Sequence, residues 1–272
     1  MSSLDIKAVR EKFNSLSNKT RTSDIIWKPI DGTNHIRIVP LATEPSYPFI
    51  EASFYYFGNR TYLSPSTFGE ADPILDFCLK LREGGNLERE AWNETKKFFP
   101  KTRTFVPIVV RGKEAEGVKF WGFGKTVYKE LLSIMGDPDY GDITDPHAGR
   151  DIKIEFTPKD KSDTDFPKTA VRASPRQTPI TADKELLNKI LTVQPNLFDA
   201  WEKHSYDELK EVLEKFLSPA VEQERSTTSA DNWDNATEPG ESPSIVAKES
   251  AKEPLKKSAS EIDKEFDDVF NS

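Results

Sequence analysis

Apolar and polar positions alternate with period two over several stretches of this 272-residue chain, the mark of half-buried strands. His35-Ile36-Arg37-Ile38-Val39 stops at Pro40. Ser53-Phe54-Tyr55-Tyr56-Phe57 turns at Gly58-Asn59 into Arg60-Thr61-Tyr62-Leu63, a hairpin pattern. Further strands are expected at 104–110, 118–123, 151–156 and 168–172. Pro107 cannot donate to a ladder, so its strand is expected at an edge or a bulge.

A helical period interrupts these strands. Leu4 to Phe13 reads as a short amphipathic helix. Asp72-Pro73 is an N-cap followed by proline at the first helical position, and Gly84-Gly85 supplies the stop. Further helices are expected at 87–97, 125–135, 186–191 and 197–217, the last restarting at the capping box Ser205-Tyr206-Asp207-Glu208. Strands with helical insertions and no βαβ alternation predict a mainly β fold, a small barrel with helical additions. From about 221 to 260 the chain is rich in Ser, Thr, Glu, Pro and Ala without an apolar period. Such a segment cannot bury enough surface to offset its ordering entropy, and a disordered linker is expected. Three regions result: a basic N-terminal segment at 1–22, a packed body at 23–220, and a linker with an acidic tail at 221–272.

Charge sharpens that division. The formal net charge is −8, yet residues 1–22 carry +3, 23–179 carry −1, 180–220 carry −3 and 221–272 carry −7, so nearly all the acidity lies toward the C-terminal end. One cysteine, Cys78, and three histidines exclude a disulfide framework and a Cys-rich zinc site. No apolar run is long enough to span a bilayer, and the opening MSSLDIKAVREKF has no signal-peptide core, so a cytoplasmic location is expected.

Catalytic chemistry finds little support. Gly124-Lys125-Thr126 follows a strand and precedes a helix, but a phosphate loop needs a glycine five residues before Gly124, where Lys119 stands. The histidines lie far apart, and Cys78 sits beside Phe77 and Leu79 on an apolar helical face, the place of a core thiol. No local nucleophile signature is present. Asp137/Asp139 and Asp163/Asp165 fall in loops, as solvated turn carboxylates do.

Basic and aromatic residues, by contrast, interleave. Lys96-Lys97-Phe98-Phe99-Pro100-Lys101-Thr102-Arg103-Thr104-Phe105 packs four cations and three phenylalanines into ten residues. Cations meet phosphates, and exposed rings stack on unpaired bases. In the next strand Lys119, Trp121 and Phe123 share one face, with Val118 and Phe120 on the other, the pattern of a base-stacking platform. Phe166, Lys168, Arg172 and Arg176 repeat the theme. A solvated strand face with core phenylalanines explains any one of these elements alone; their recurrence favours binding. The tail ends in EIDKEFDDVFNS. Its acidic residues either solubilise or, with Ile262, Phe266 and Phe270, form a peptide that docks on partners or competes for a basic groove.

Ile26-Trp27-Lys28, Ile36-Arg37-Ile38-Val39-Pro40 and Phe120-Trp121-Gly122-Phe123-Gly124-Lys125 with Val127-Tyr128 resemble, in collinear order over about residues 24–217, the single-stranded DNA-binding (helix-destabilising) protein of T-even phages and their cyanophage relatives. The resemblance implies a five-stranded OB-fold-like core with a positive, aromatic-lined cleft. It implies cooperative, sequence-independent binding and an acidic tail that recruits replication, recombination and repair proteins, in the cytoplasm of an infected bacterium. Carried onto this chain, the resemblance places Lys101, Arg103, Phe105, Trp121, Lys125, Phe166 and Arg172 in that cleft; the expected DNA contacts further include Lys96, Lys97, Phe99, Arg111, Lys119, Arg176 and Tyr62. Partner contacts would be Asp263, Phe266, Asp267, Asp268 and Phe270.

Two departures stand out. The T-even members hold zinc through one histidine and three cysteines, where this chain has aromatic residues near Phe54–Tyr55, then Ser64, Asp72 and Leu75. No zinc is expected, with Pro65, Phe68, Ile74, Leu75, Phe77 and Leu79 packing an apolar replacement and burial alone supporting the local fold. The family's basic-plus-hydroxyl start has its nearest counterpart at Lys19-Thr20-Arg21-Thr22-Ser23, leaving residues 1–22 as the protomer-contact segment. The expected function is non-enzymatic coating of transient single strands. A protein–protein adaptor gripping a peptide with its aromatic strands is the alternative, and a metal-dependent nuclease a weaker one.

Overall fold

The computed structural model describes residues 22–83 and 96–217. The expected helices at 4–13 and over most of 87–97, the Gly84-Gly85 stop, almost all of the 1–22 segment and the tail lie outside the described residues. Eight strands form one sheet: β1 (Ile26–Trp27), β2 (Gly32–Ile38), β3 (Ile50–Phe57), β4 (Arg60–Leu63), β5 (Lys101–Val110), β6 (Lys119–Phe123), β7 (Arg150–Thr157) and β8 (Lys168–Gln177). Besides a single helical turn at Thr22–Ile25, four longer helices join them among the described residues: α1 (Pro73–Glu83), α2 (Lys125–Gly136), α3 (Lys184–Thr192) and α4 (Tyr206–Leu217).

The strand path runs β1-β6-β5-β2-β7-β8, with the β3–β4 hairpin joined to β5. Its ends, β1 and β8, do not pair among the described residues, so the sheet is open and the closed barrel is not formed by strand pairing. The sheet nevertheless encloses one core. Ile36, Ile38, Val106, Ile108, Trp121, Ile152, Ile154 and Val171 pack together with Val127 and Leu131 of α2. α2 packs against β8 and β5, and its apolar side supplies burial that strand pairing alone does not.

The long β5 organises everything else. Its first half pairs with β3 from Phe105↔Ile50 to Lys101↔Phe54, and its second half with β2 from Ile108↔Ile38 to Val110↔Ile36. Pro107 falls between these two partners. Its carbonyl accepts from the Val39 amide at 3.0 Å, so its missing N–H faces the same junction, where no ladder bond is required. Proline therefore occupies a central strand, not the expected edge, because that strand changes neighbours at this residue.

Both faces of β5 and β6 are buried. On the outer face, Phe54, Phe105 and Phe120 pack under Leu197 and Ala200, and Val39 and Val109 pack under Ile190 of α3. Beyond the hairpin, Tyr55, Phe57 and Tyr62 join Ile74, Phe77, Cys78 and Leu81 of α1 and Leu209 and Leu213 of α4 in a separate lobe.

Local signals predict the helix starts well. Asp72 Oδ1 accepts from the Ile74 and Leu75 amides, and the Ser205–Glu208 box is reciprocal, at 2.8 Å and 3.3 Å. The expected helix at 197–217 divides into a 3₁₀ turn, Leu197–Ala200, and α4. Arg37, fully buried, is held by Asp151 at 2.9 Å and by Thr178. This ties the Thr178–Ile180 strap over the outer face.

Candidate nucleic-acid interface

The pleat orders the expected contact residues differently from the single trough that the sequence suggests. Lys119, Trp121 and Phe123 do share a face, but it is the enclosed one. Trp121, opposite Val106 in the register, is 2% exposed. Phe105 lies on the other face and is 1% exposed, covered by Trp201 with ring centroids 5.4 Å apart. Neither ring can stack on a base as placed. Both faces of these two strands are occupied by core, so alternation could not distinguish an exposed platform from a second buried layer.

Four other expected contacts are engaged in structure. Tyr62 is buried in the α1–α4 lobe with the His204 ring 5.2 Å away. Arg111 pairs with Asp151 at 2.6 Å and donates to the Ile180 and Pro179 carbonyls, fastening the strap. Arg103 is 7% exposed, with its guanidinium so close to Gly124 that a Cβ there would stand 3.1 Å from its Nη1. Lys119 is half-buried and bridges to Glu116 at 2.6 Å, which together with Lys113 holds that carboxyl below the usual range.

The remaining residues reach the surface in two groups. Lys96, Lys97 and Lys101 are exposed where the Lys96–Phe98 turn enters β5, beside the half-buried Phe99. Lys125 is exposed at the first position of α2. On the opposite side of the covered middle, the register sets His35, Lys153 and Arg172 side by side across β2, β7 and β8. Here Lys153 bridges to Glu155 at 2.7 Å, and the neighbouring Arg172 adds to the lowering of that carboxyl. Phe166, 37% exposed, precedes the start of β8 and Arg176, exposed, lies near its end, so the two stand at opposite ends of the strand with Arg172 between them.

One ring that the sequence reading passed over stands out. Tyr56, half-buried on β3, lies under the Lys101 ammonium at 5.4 Å, within the range of a cation–π contact. A similar pair joins Lys203 to Phe68 at 3.7 Å, and Phe68 meets Phe198 at 4.8 Å. Tyr56 was visible as the alternate position to Tyr55 in the hairpin strand. Its pairing with Lys101 depends on the β3–β5 register.

The positions where the T-even proteins hold zinc can be tested against that metal directly. Asp72 Oδ2 accepts from the Tyr55 hydroxyl at 2.9 Å and from Ser64 Oγ, while Oδ1 accepts from the two α1 amides. Burial and the Asp72 charge push the Tyr55 phenol far above its ordinary range, so it remains a donor. The carboxylate is thus already saturated by donors, and Tyr and Ser hydroxyls replace the usual sulfur and imidazole ligands. Among the described residues no three of His, Cys, Asp and Glu gather as metal ligands. These residues do not fit a zinc ion.

A β-rich fold with exposed cations beside aromatic rings is of the class that binds nucleic acid. Residues 30–218 match the family described as gp32 DNA binding protein like, and the chain belongs to that family. No curated protein matches the chain. Among the described residues, no helix is long and apolar enough to cross a membrane.

Proposed function

We propose that this protein binds single-stranded DNA without strong sequence preference and protects it during phage replication, recombination and repair. Membership of a gp32-like DNA-binding family supports the reading. The observation that carries its single-strand character is the exposed Lys101 over the half-exposed Tyr56. A cation takes a phosphate while a neighbouring ring accepts a base face, and only an unpaired strand offers both together. Lys96, Lys97 and Lys125 extend the positive surface near β5 and α2, with Phe99 beside it. Phe166, Arg172 and Arg176, spaced along β8 from one end to the other, supply further contacts.

The protein acts by mass rather than by catalysis. Binding only the open form shifts melting toward single strands and shields them from nucleases. Residues 1–22 join successive protomers along the strand. The acidic tail, through Asp263, Phe266, Asp267, Asp268 and Phe270, recruits replication proteins in the host cytoplasm, and no metal cofactor takes part.

The test is an anisotropy titration of a labelled homopyrimidine strand and of its duplex at two salt concentrations. Tight, salt-sensitive binding to the strand and weak binding to the duplex is the expected result, because phosphate neutralisation releases counterions. Equal affinity for both, or none for either, would refute the reading and leave a peptide-binding adaptor as the alternative.

A further inference from the structure

The α1–α4 lobe is built mainly of apolar side chains, with a buried polar cluster of Asp72, Ser64 and the Tyr55 hydroxyl beside them. Asp72 is the single buried acid among the described residues, 3% exposed. A carboxylate removed from water is costly unless its charge is met by donors. Here four are supplied by three separate pieces of chain. Tyr55 comes from β3, Ser64 from the end of β4, and the Ile74 and Leu75 amides from the first turn of α1. Ser64 Oγ is further linked to Ser66 Oγ at 2.6 Å, and the Ser64 amide donates to the Ser53 carbonyl at 2.9 Å. The α1 N-terminus adds the favourable end of its dipole.

This arrangement differs from the purely apolar replacement that the sequence suggests. We propose that the Asp72 carboxylate is the keystone of the lobe: it cross-links the β3–β4 hairpin to α1 in the way a structural metal would, so that the lobe folds and stays closed without one. Hydrogen bonds to an ionised acceptor are about twice as strong as neutral ones, and their loss strands the remaining donors in an apolar surrounding. The proposal concerns the lobe's assembly and holds whether or not the protein binds DNA.

Cys78 provides the readout. It is the chain's one cysteine, fully buried on α1 in the same cluster, and burial with the nearby Asp72 charge pushes its thiol up to about 12. Closed, it is inert to a thiol reagent; it reacts only when the lobe opens. The experiment measures the labelling rate of Cys78 by a disulfide reagent in the full-length native protein, with and without chelator, alongside metal analysis of the purified chain.

Sub-stoichiometric zinc, no change with chelator and a rate raised about ten- to hundredfold in Asp72→Asn are expected. Stoichiometric zinc whose removal exposes Cys78, or an Asp72→Asn rate equal to wild type, would overturn the proposal. Should Asp72→Asn fail to fold, Tyr55→Phe and Ser64→Ala each delete one donor while keeping shape. A severalfold faster rate in each supports the keystone, and wild-type rates in both refute it.

Discussion

Trp27 and Trp121 meet edge to face, ring centroids 6.2 Å apart at 81°, across the parallel pairing of β1 with β6. Trp121 is thereby closed in by Trp27 on one side and by Phe123, at 4.7 Å, on the other. Truncating it leaves a large cavity in the enclosed core. Trp121→Ala is expected to lose about 3–5 kcal/mol of stability in a urea titration. Its folded fraction should bind single strands as the wild type does. A stable variant with selectively weakened binding would return this ring to the interface.

Lys101 and Tyr56 carry the opposite expectation. Lys101→Ala, at an exposed strand end, should leave the melting temperature nearly unchanged. It should weaken single-strand binding and lower the log–log salt slope by about 0.7, the share of one phosphate. Tyr56→Ala should cost about 1–3 kcal/mol of binding through lost stacking, with little change in salt slope. Salt-dependent titrations of the two variants separate the roles.

Asp151 sits between two guanidiniums, 2.9 Å from Arg37 and 2.6 Å from Arg111, and Arg37 has no exposed surface. Burial depresses the basicity of Arg37 and Asp151 is the main opposing influence, so removal of this acid leaves a cation stranded in the fold. Asp151→Ala is therefore expected to destabilise the protein by about 3 kcal/mol. It should also release the Thr178–Ile180 strap, seen as faster amide exchange there in a hydrogen-exchange experiment. Unchanged protection would show that the strap's backbone bonds to Gly149 and Pro146 and the packing of Ile180 on α3 hold it without the ion pair.

Deletion of residues 221–272 removes a net −7 from a chain of −8. Single-strand affinity of the truncated protein is expected to be equal or higher, because an acidic competitor is gone. Capture of replication proteins should be lost. A fall in DNA affinity would contradict the tail's proposed role.

Much of the fold is legible in the residues because its causes are local. The Asp72-Pro73 start of α1 and the Ser205–Glu208 box of α4 are each made within a few residues, and both form as their patterns predict. Period-two alternation likewise marks β2 and β7. The near-continuous apolar run from Phe105 to Val110 also held a warning, since burial from Arg103 through Val109 means that both faces of β5 are covered.

The sequence by itself determined the strands other than β1, the main helix starts, the distribution of charge and the kinship. Only the tertiary structure decided which side of the pleat meets water. That choice belongs to the cover, here Trp201, α2 and α3, contributed by segments remote along the chain. It is why Trp121 and Phe105 lie inside while Tyr56 lies under Lys101. The same holds for Asp72, a helix cap by local pattern, which becomes the centre of a lobe because the β3–β4 hairpin brings Tyr55 and Ser64 to it.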